Sequence, residues 1–246
     1  MRVAILTDIH ANLEALEACL ADARAAGAER LVFLGDLVGY GADPWEVVAR
    51  ARILQSEGAV VLRGNHDEAA SFGPRGFSTL AAAAMRWTME RLSPEAREWL
   101  AGLPLTHAEG EVLFTHADAS APGEWRYVTD SRSARRSLLA TPAWLTLCGH
   151  THVPALWRLS GAEHVAPVPF EEDRPLALDA AHRWLAVVGA VGQPRNGQAE
   201  ACYALLDPGA RLITQRRVAY DVARAADKIR AAGLPELLAE RLFVGV

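Results

Sequence analysis

RVAILTDIHANLEALEACLADARAAGAERLVFLGD, residues 2–36, carries the pattern from which the fold is read. An apolar run (2–6) gives way to a stretch of helical period from about Asn12 to Ala26, and a second apolar run (31–34) closes on Gly35-Asp36. The alternation continues with a helical stretch from about Pro44 to Gln55 and the run AVVL at 59–62. Strand, helix, strand, helix, strand predicts a buried parallel sheet with right-handed crossovers, because a parallel neighbour is reached only through a helix packed back onto the sheet.

Working outward, a helical middle spans roughly 77–100 with a break at Ser93-Pro94, where Ser93 reads as an N-cap and proline takes the first helical position. Short apolar runs follow at 112–115, 145–148, 155–159, 184–188, 201–205 and 212–220. Turn signals such as Asn196-Gly197 and Asp207-Pro208-Gly209 separate several of them, which predicts a mostly antiparallel second sheet. Helical period returns at about 221–232 and briefly after Pro235. No repeat or low-complexity linker marks a boundary, so the expectation is one α/β domain over residues 1–246 with two sheets packed together.

Composition narrows the classes. With 246 residues and 51% hydrophobic content the chain can bury a sizeable core. A net charge of -5 argues against a stable nucleic-acid partner, since phosphate-backbone binders carry basic excess. A small anionic substrate stays open, because a metal or a local arginine can supply positive charge. Cys19, Cys148 and Cys202 form no CxxC pair, which fits neither a disulfide framework nor a thiolate metal site and points to a reducing cytoplasm. The first apolar run is broken by Asp8, and nothing approaches the ~18 apolar residues of a membrane span, so neither export nor a membrane partner is expected.

Polar groups gather where the apolar runs end. The first delivers Asp8 and His10; the second, Asp36; the third, Asn65, His66 and Asp67; VLFT, His116; and LTLC, His150 and His152. In open α/β sheets that carboxyl edge is where ligands bind. Residues two apart in extended chain face the same way, so Asp8 with His10, and His150 with His152, can point into one cleft. Asp8, His10, Asp36, Asn65, His116, His150 and His152 exceed what one ion takes and are all nitrogen or oxygen donors. The economical solution is two divalent ions bridged by one carboxylate, a geometry suited to phosphoryl displacement. Mixed imidazole and carboxylate suits Mn, Fe, Zn, Ni or Co, and the lack of thiolate argues against structural zinc. Each motif alone has a blander reading: Asp8 could cap the helix near Asn12, and Asp67 could cap a helix after a turn.

The series DIH, GDLVGYG, RGNHDEAA, TH at 115–116 and GHTHVP resembles the calcineurin-like metallophosphoesterases, from residue 3 to about 220. The resemblance implies a four-layer α/β/β/α sandwich with a dinuclear centre at the carboxyl edges of both sheets. It assigns Asp8, His10, Asp36 and His152 to one ion and Asp36, Asn65, His116 and His150 to the other, with Asp36 bridging. His66 then meets substrate, giving a proton to the leaving oxygen or stabilising the transition state, with Asp67 orienting it; a metal-bridging hydroxide is the implied nucleophile.

The implied activity is hydrolysis of phosphodiesters and activated phosphomonoesters, on a small phosphoester or nucleotide. Alternatives are a dinucleoside polyphosphate hydrolase, a Ser/Thr protein phosphatase, or a non-catalytic nucleotide-binding regulator. Gly39, Tyr40 and Gly41 stand where the protein phosphatases carry Asp-Arg-Gly, which weakens that branch. Compact phosphodiesterases and diadenosine tetraphosphatase-like proteins often carry Asn-Pro-Gly-Ser-Val-Gly-Gln-Pro-Arg late in the chain. Here Val188 to Arg195 keeps the final GQPR but lacks the early Asn and the Ser. Arg195 can bind a phosphate oxygen, and Tyr40 and Trp125 can stack a ring.

Overall fold

The computed structural model describes residues 1–246. Its first third is the expected alternation: β1 (Arg2–Leu6), α1 (Leu13–Ala25), β2 (Ala28–Phe33), α2 (Pro44–Ser56) and β3 (Val60–Val61), with β2 parallel to both β1 and β3. Helix α1 starts at Asn12, whose side chain accepts from the Ala15 N–H at 3.1 Å, so Asp8 is free of capping. There follow α3 (Asn65–Phe72), α4 (Thr79–Arg91), α5 (Pro94–Gly102), β4 (Thr106–Glu109), β5 (Val112–Thr115), α6 (Ser131–Leu139) and β6 (Leu145–Cys148). The chain ends through β7 (Ala155–Ser160), β8 (His164–Val168), β9 (Leu176–Ala177), β10 (Arg183–Val187), β11 (Ala201–Asp207), β12 (Leu212–Val218), α7 (Val222–Ala231) and α8 (Glu236–Val244). Ser93 caps α5 through the Ala96 N–H, with Pro94 at the first helical position.

Both sheets are six-stranded and mixed, ordered β3-β2-β1-β11-β12-β9 and β4-β5-β6-β10-β7-β8. Three of the five pairings in the second sheet are antiparallel, as expected, but its membership needs correction. Strands β11 and β12 return to the first sheet, where β11 runs antiparallel to β1, while β5, β6 and β10 are parallel neighbours in the second. Hydrophobic pattern shows that a segment is a strand, not which strand it pairs with. Tyr203 and Ala204, adjacent on β11, are both buried, as suits a strand packed on both faces in the middle of a sheet.

Period-two alternation builds the layers. On β1, Ile5 joins Val32 and Leu34 against Phe114, Leu145 and Leu147 of the second sheet, while Ala4 and Leu6 face Leu16 of α1 and Val47 of α2. Burying each such Leu, Ile or Phe contributes about 1.5–3 kcal/mol. Helix α6 covers the outer face of the second sheet with Leu138 against Trp157 and Leu185, which completes the α/β/β/α sandwich. The sequence SRSARRSLL hid that helix, because few of its positions are apolar; it is set up by a reciprocal cap between Asp130 and Ser133. Helices α7 and α8 pack on Ala84 of α4, bringing the end of the chain beside the carboxyl edges of the sheets.

Candidate metal centre

Those carboxyl edges converge. Asp8 and His10 follow β1, Asp36 follows β2 and Asn65 opens α3 after β3, all from the first sheet; His116 follows β5 and His150 and His152 follow β6, from the second. Their donor atoms meet in overlapping groups: Asp8 with His10 and His152, His10 with Asp36 and His66, Asp36 with His116 and His150, each group within 4.8 Å. His10 Nε2 lies 3.1 Å from His152 Nε2, and His116 Nε2 lies 3.2 Å from His150 Nδ1 and 3.3 Å from Asn65 Oδ1. Asp36 Oδ2 faces both sides, 3.7 Å from His10 Nε2 and 3.4 Å from His116 Nε2. All seven expected donors thus share one pocket.

Their backbone is not extended, as the two-apart argument assumed. Asp8, His10, Asp36, His150 and His152 all have φ between 49° and 69°, the left-handed region that costs an L-residue roughly 1–2 kcal/mol. The pairs share a pocket because successive left-handed turns fold the loops inward. Gly35, at φ 118°, makes a turn open to glycine, whereas Gly64 and Gly149 lie outside the left-handed region and serve another need, space. A Cβ on Gly64 would fall 2.1 Å from Asp36 Oδ1, and one on Gly149 would fall 2.1 Å from Thr7 Oγ1.

Three imidazoles have their tautomer set from behind. His10 Nδ1 donates to Val38 O at 3.1 Å, His152 Nδ1 to Gln193 O at 2.6 Å and His150 Nε2 to Trp125 O at 2.9 Å. Each therefore turns a bare nitrogen lone pair inward, the arrangement of a metal-ligating histidine. Asp8 Oδ2 accepts from Thr7 Oγ1 and His150 N, both at 3.0 Å, whereas Asp8 Oδ1 is buried without a partner. An orphaned carboxylate oxygen facing bare imidazole nitrogens is the environment a divalent cation satisfies, so the donor set fits a metal.

The protonation pattern agrees. Burial, then repulsion from its charged neighbours, holds His10, His150 and His152 low, His150 at about 3. Burial also opposes charge on His116, but the Asp36 carboxylate outweighs it and pushes His116 up to about 9. Burial pushes Asp8 up to about 6, while burial of Asp36 is outweighed by His116 and His66, which hold it well below the usual carboxylate range. The cluster thus keeps a proton on His116, the place a cation takes over.

His66 sits beside the cluster, with its ring 4.7 Å from His10, 4.6 Å from Tyr40 and 4.7 Å from Phe77. Its Nδ1 has no partner, and burial holds it down at about 4. The expectation that Asp67 orients this ring is corrected: the Asp67 carboxylate accepts from the backbone N–H of Asp36, Leu37 and Gly64 at 2.8, 2.9 and 2.9 Å. Asp67 fastens two ligand loops together; it does not hold the imidazole. Tyr40 and Arg195 line the cavity beyond His66, the Arg195 guanidinium 5.9 Å above the Tyr40 ring. Sequence reasoning missed Gln193, Arg241 and the carbonyls of Val38 and Trp125; Gln193 lies in the GQPR segment that singled out Arg195, whereas Arg241 carries no local signal.

Residues 1–210 match the family model described as the calcineurin-like phosphoesterase superfamily domain. The chain belongs to that superfamily. A metallophosphoesterase of Sphaerobacter thermophilus has 37% sequence identity and a TM-score of 0.87, with 100% of both chains covered. An uncharacterized protein of Methanocaldococcus jannaschii is 34% identical over 99% of this chain and 98% of its own length. A protein of Pyrococcus horikoshii shares the fold at 20% identity and a TM-score of 0.81, over 100% of this chain and 98% of its own. No helix is long and apolar enough to cross a membrane.

Proposed function

We propose that this chain is a metal-dependent phosphoesterase that hydrolyses phosphodiesters, and activated phosphomonoesters more slowly, with two divalent ions held by the seven donors. One observation carries the reading: Asp36 Oδ2 stands between two sets of inward-turned imidazoles, 3.7 Å from His10 Nε2 and 3.4 Å from His116 Nε2. Divalent ions bound there supply Lewis acidity, polarising a phosphoryl oxygen and lowering the pKa of water toward ~7. Asp8, His10, Asp36 and His152 would hold one ion, and Asp36, Asn65, His116 and His150 the other.

The chain's own groups do the rest. The carbonyls behind His10, His150 and His152 keep their reactive nitrogens free of protons. His66, whose ring lines the cavity beside the cluster, is the residue placed to exchange a proton with a leaving oxygen. Burial holds it near 4, and an anionic phosphate beside it raises its affinity for a proton, since a nearby negative charge favours the imidazolium. Tyr40 stands where protein phosphatases carry a phosphate-gripping arginine, which favours small diesters over phosphoproteins.

The test is hydrolysis of bis-p-nitrophenyl phosphate by chelator-treated protein with and without added Mn²⁺, alongside metal content by mass spectrometry. Metal-stimulated turnover with two ions per chain supports the reading. Absence of turnover across a panel of diesters and monoesters, in protein that has taken up metal, overturns it.

A further inference from the structure

A cavity of about 520 Å³ opens outward from Asn65, His66 and His150, of the size that holds a nucleotide-like ligand rather than a single phosphate. Three guanidiniums line it, Arg75, Arg195 and Arg241. None of the three forms an ion pair with an Asp or Glu, in a protein with 30 such residues. By contrast, Arg216 pairs with Asp22 and Asp173 at 3.0 Å and Arg217 with Glu172 at 3.0 Å, while Arg97, Arg158 and Arg183 are part-buried without an acidic partner but lie outside this cavity.

Two of the cavity arginines are held side by side. Gln193 Oε1 accepts from Arg195 Nη2 at 2.8 Å and from Arg241 Nη1 at 3.3 Å, while Arg241 Nε donates to the main-chain oxygen of Val246 at 2.6 Å. Arg195 Nε is buried with no partner. Burial, then the neighbouring Arg195 charge, lowers the affinity of Arg241 for its proton. Two like charges drawn onto one amide oxygen repel, an anion beside both relieves that repulsion, and paired guanidinium forks suit phosphate oxygens. The same segment ties this pair to the metal donors, because Gln193 O fixes His152 and Arg195 N donates to His152 O at 3.3 Å.

We propose that Arg195 and Arg241, clipped together by Gln193, bind a second phosphate group of the substrate, so that the site selects phosphoesters bearing two phosphates. Helix α8 thereby becomes part of the substrate site, outside the residues that match the family model. The substrate statement rests on the phosphoesterase reading; the second anion site does not, and can be tested without turnover.

The experiment is calorimetric titration of the Mn²⁺-loaded chain with methylenebisphosphonate, two phosphonates on one carbon, and with methylphosphonate, which has one. Wild type is expected to prefer the bisphosphonate by tenfold or more. Arg241→Gln and Arg195→Gln should each cut that preference by about tenfold, the share of one charge-assisted contact, while Arg241→Lys keeps most of it. A preference unchanged in both glutamine variants, or absent in wild type, overturns the proposal. Should Arg241→Gln fail to fold by circular dichroism, Arg195→Gln decides by the same criterion. Arginine-dependent bisphosphonate binding in a chain that hydrolyses no phosphoester would sink the proposed function and leave this site standing.

Discussion

Two clusters of charged and polar side chains bear on the first sheet and are built on opposite terms. Beneath α1, Asp22 accepts from Tyr203 Oη at 2.7 Å and from Arg216 Nη2 and Nε at 3.0 and 3.2 Å, and Arg216 reaches Asp173 as well. Burial works to raise Asp22, but the bonds from Arg216 and Tyr203 outweigh it and hold it low, and they hold Arg216 high. Every charge there has its partner. At the carboxyl end, Asp8 Oδ1, His66 Nδ1 and His116 Nδ1 are buried and unpartnered, and five loop residues are held in left-handed backbone. A cluster that satisfies itself is structure; one that stores strain and leaves buried atoms waiting is a site whose remaining partner comes from outside.

That contrast can be broken by mutation, and the largest effect falls on Asp36. Asp36→Asn removes the shared carboxylate, and metal content should drop by at least one ion per chain with turnover lowered by roughly 10³-fold or more, several kcal/mol of lost charge stabilisation. Retention of full metal and turnover would remove Asp36 from its bridging place. Next comes His66→Asn, expected to keep its metal and lose about 10²–10⁴-fold in kcat. Loss of metal instead would move His66 into the ligand set.

Protons sharpen the comparison further. In chelated protein Asp8 stands at about 6, Asp67 at about 7 and His116 at about 9, all above their ordinary values. A group whose folded pKa is raised binds more protons folded than unfolded, so its contribution is lost as pH rises toward the folded value. Four histidines, His10, His66, His150 and His152, are held low instead and gain protons on unfolding, so urea denaturation of the chelated chain should show stability rising up to about pH 6.5 and then falling toward pH 9 as His116 loses its proton, with metal affinity rising as the competing protons leave. A metal affinity flat with pH would contradict the protonated cluster. Saturating metal at 100 times its Kd should add about 2.7 kcal/mol of stability.

The smallest functional effect belongs to the self-satisfied cluster. Asp22→Asn should cost about 1–3 kcal/mol, by leaving Arg216 short of a partner, and leave kcat and metal content unchanged. A drop in activity without unfolding would mean the two clusters are coupled.

Much of the centre was legible along the chain. Asp8, His10, Asp36, Asn65, His116, His150 and His152 each follow an apolar run, and a strand that ends at a ligand-binding edge is a local event that local pattern records. Pairing was less legible: CYALL announces a strand, yet nothing in it says that it lies beside β1. The role of Asp67 was misread because its three partners, the N–H groups of Asp36, Leu37 and Gly64, belong to the folded backbone and leave no mark on side-chain identity. Helix α6 escaped notice because its burial rests on Ala134, Ser137 and Leu138 amid polar residues.

By itself, then, the sequence determined the alternation of elements, the kind of donors and the order in which strand ends present them, because periodicity and residue chemistry are properties of short segments. Only the tertiary structure decided that Asp36 looks at two imidazole sets at once, that main-chain carbonyls choose the tautomers, and that Gln193 draws Arg241 from α8 to the side of Arg195. Those are relations between atoms up to 142 positions apart, such as His10 and His152, and only the packing of two sheets face to face brings them within bonding distance.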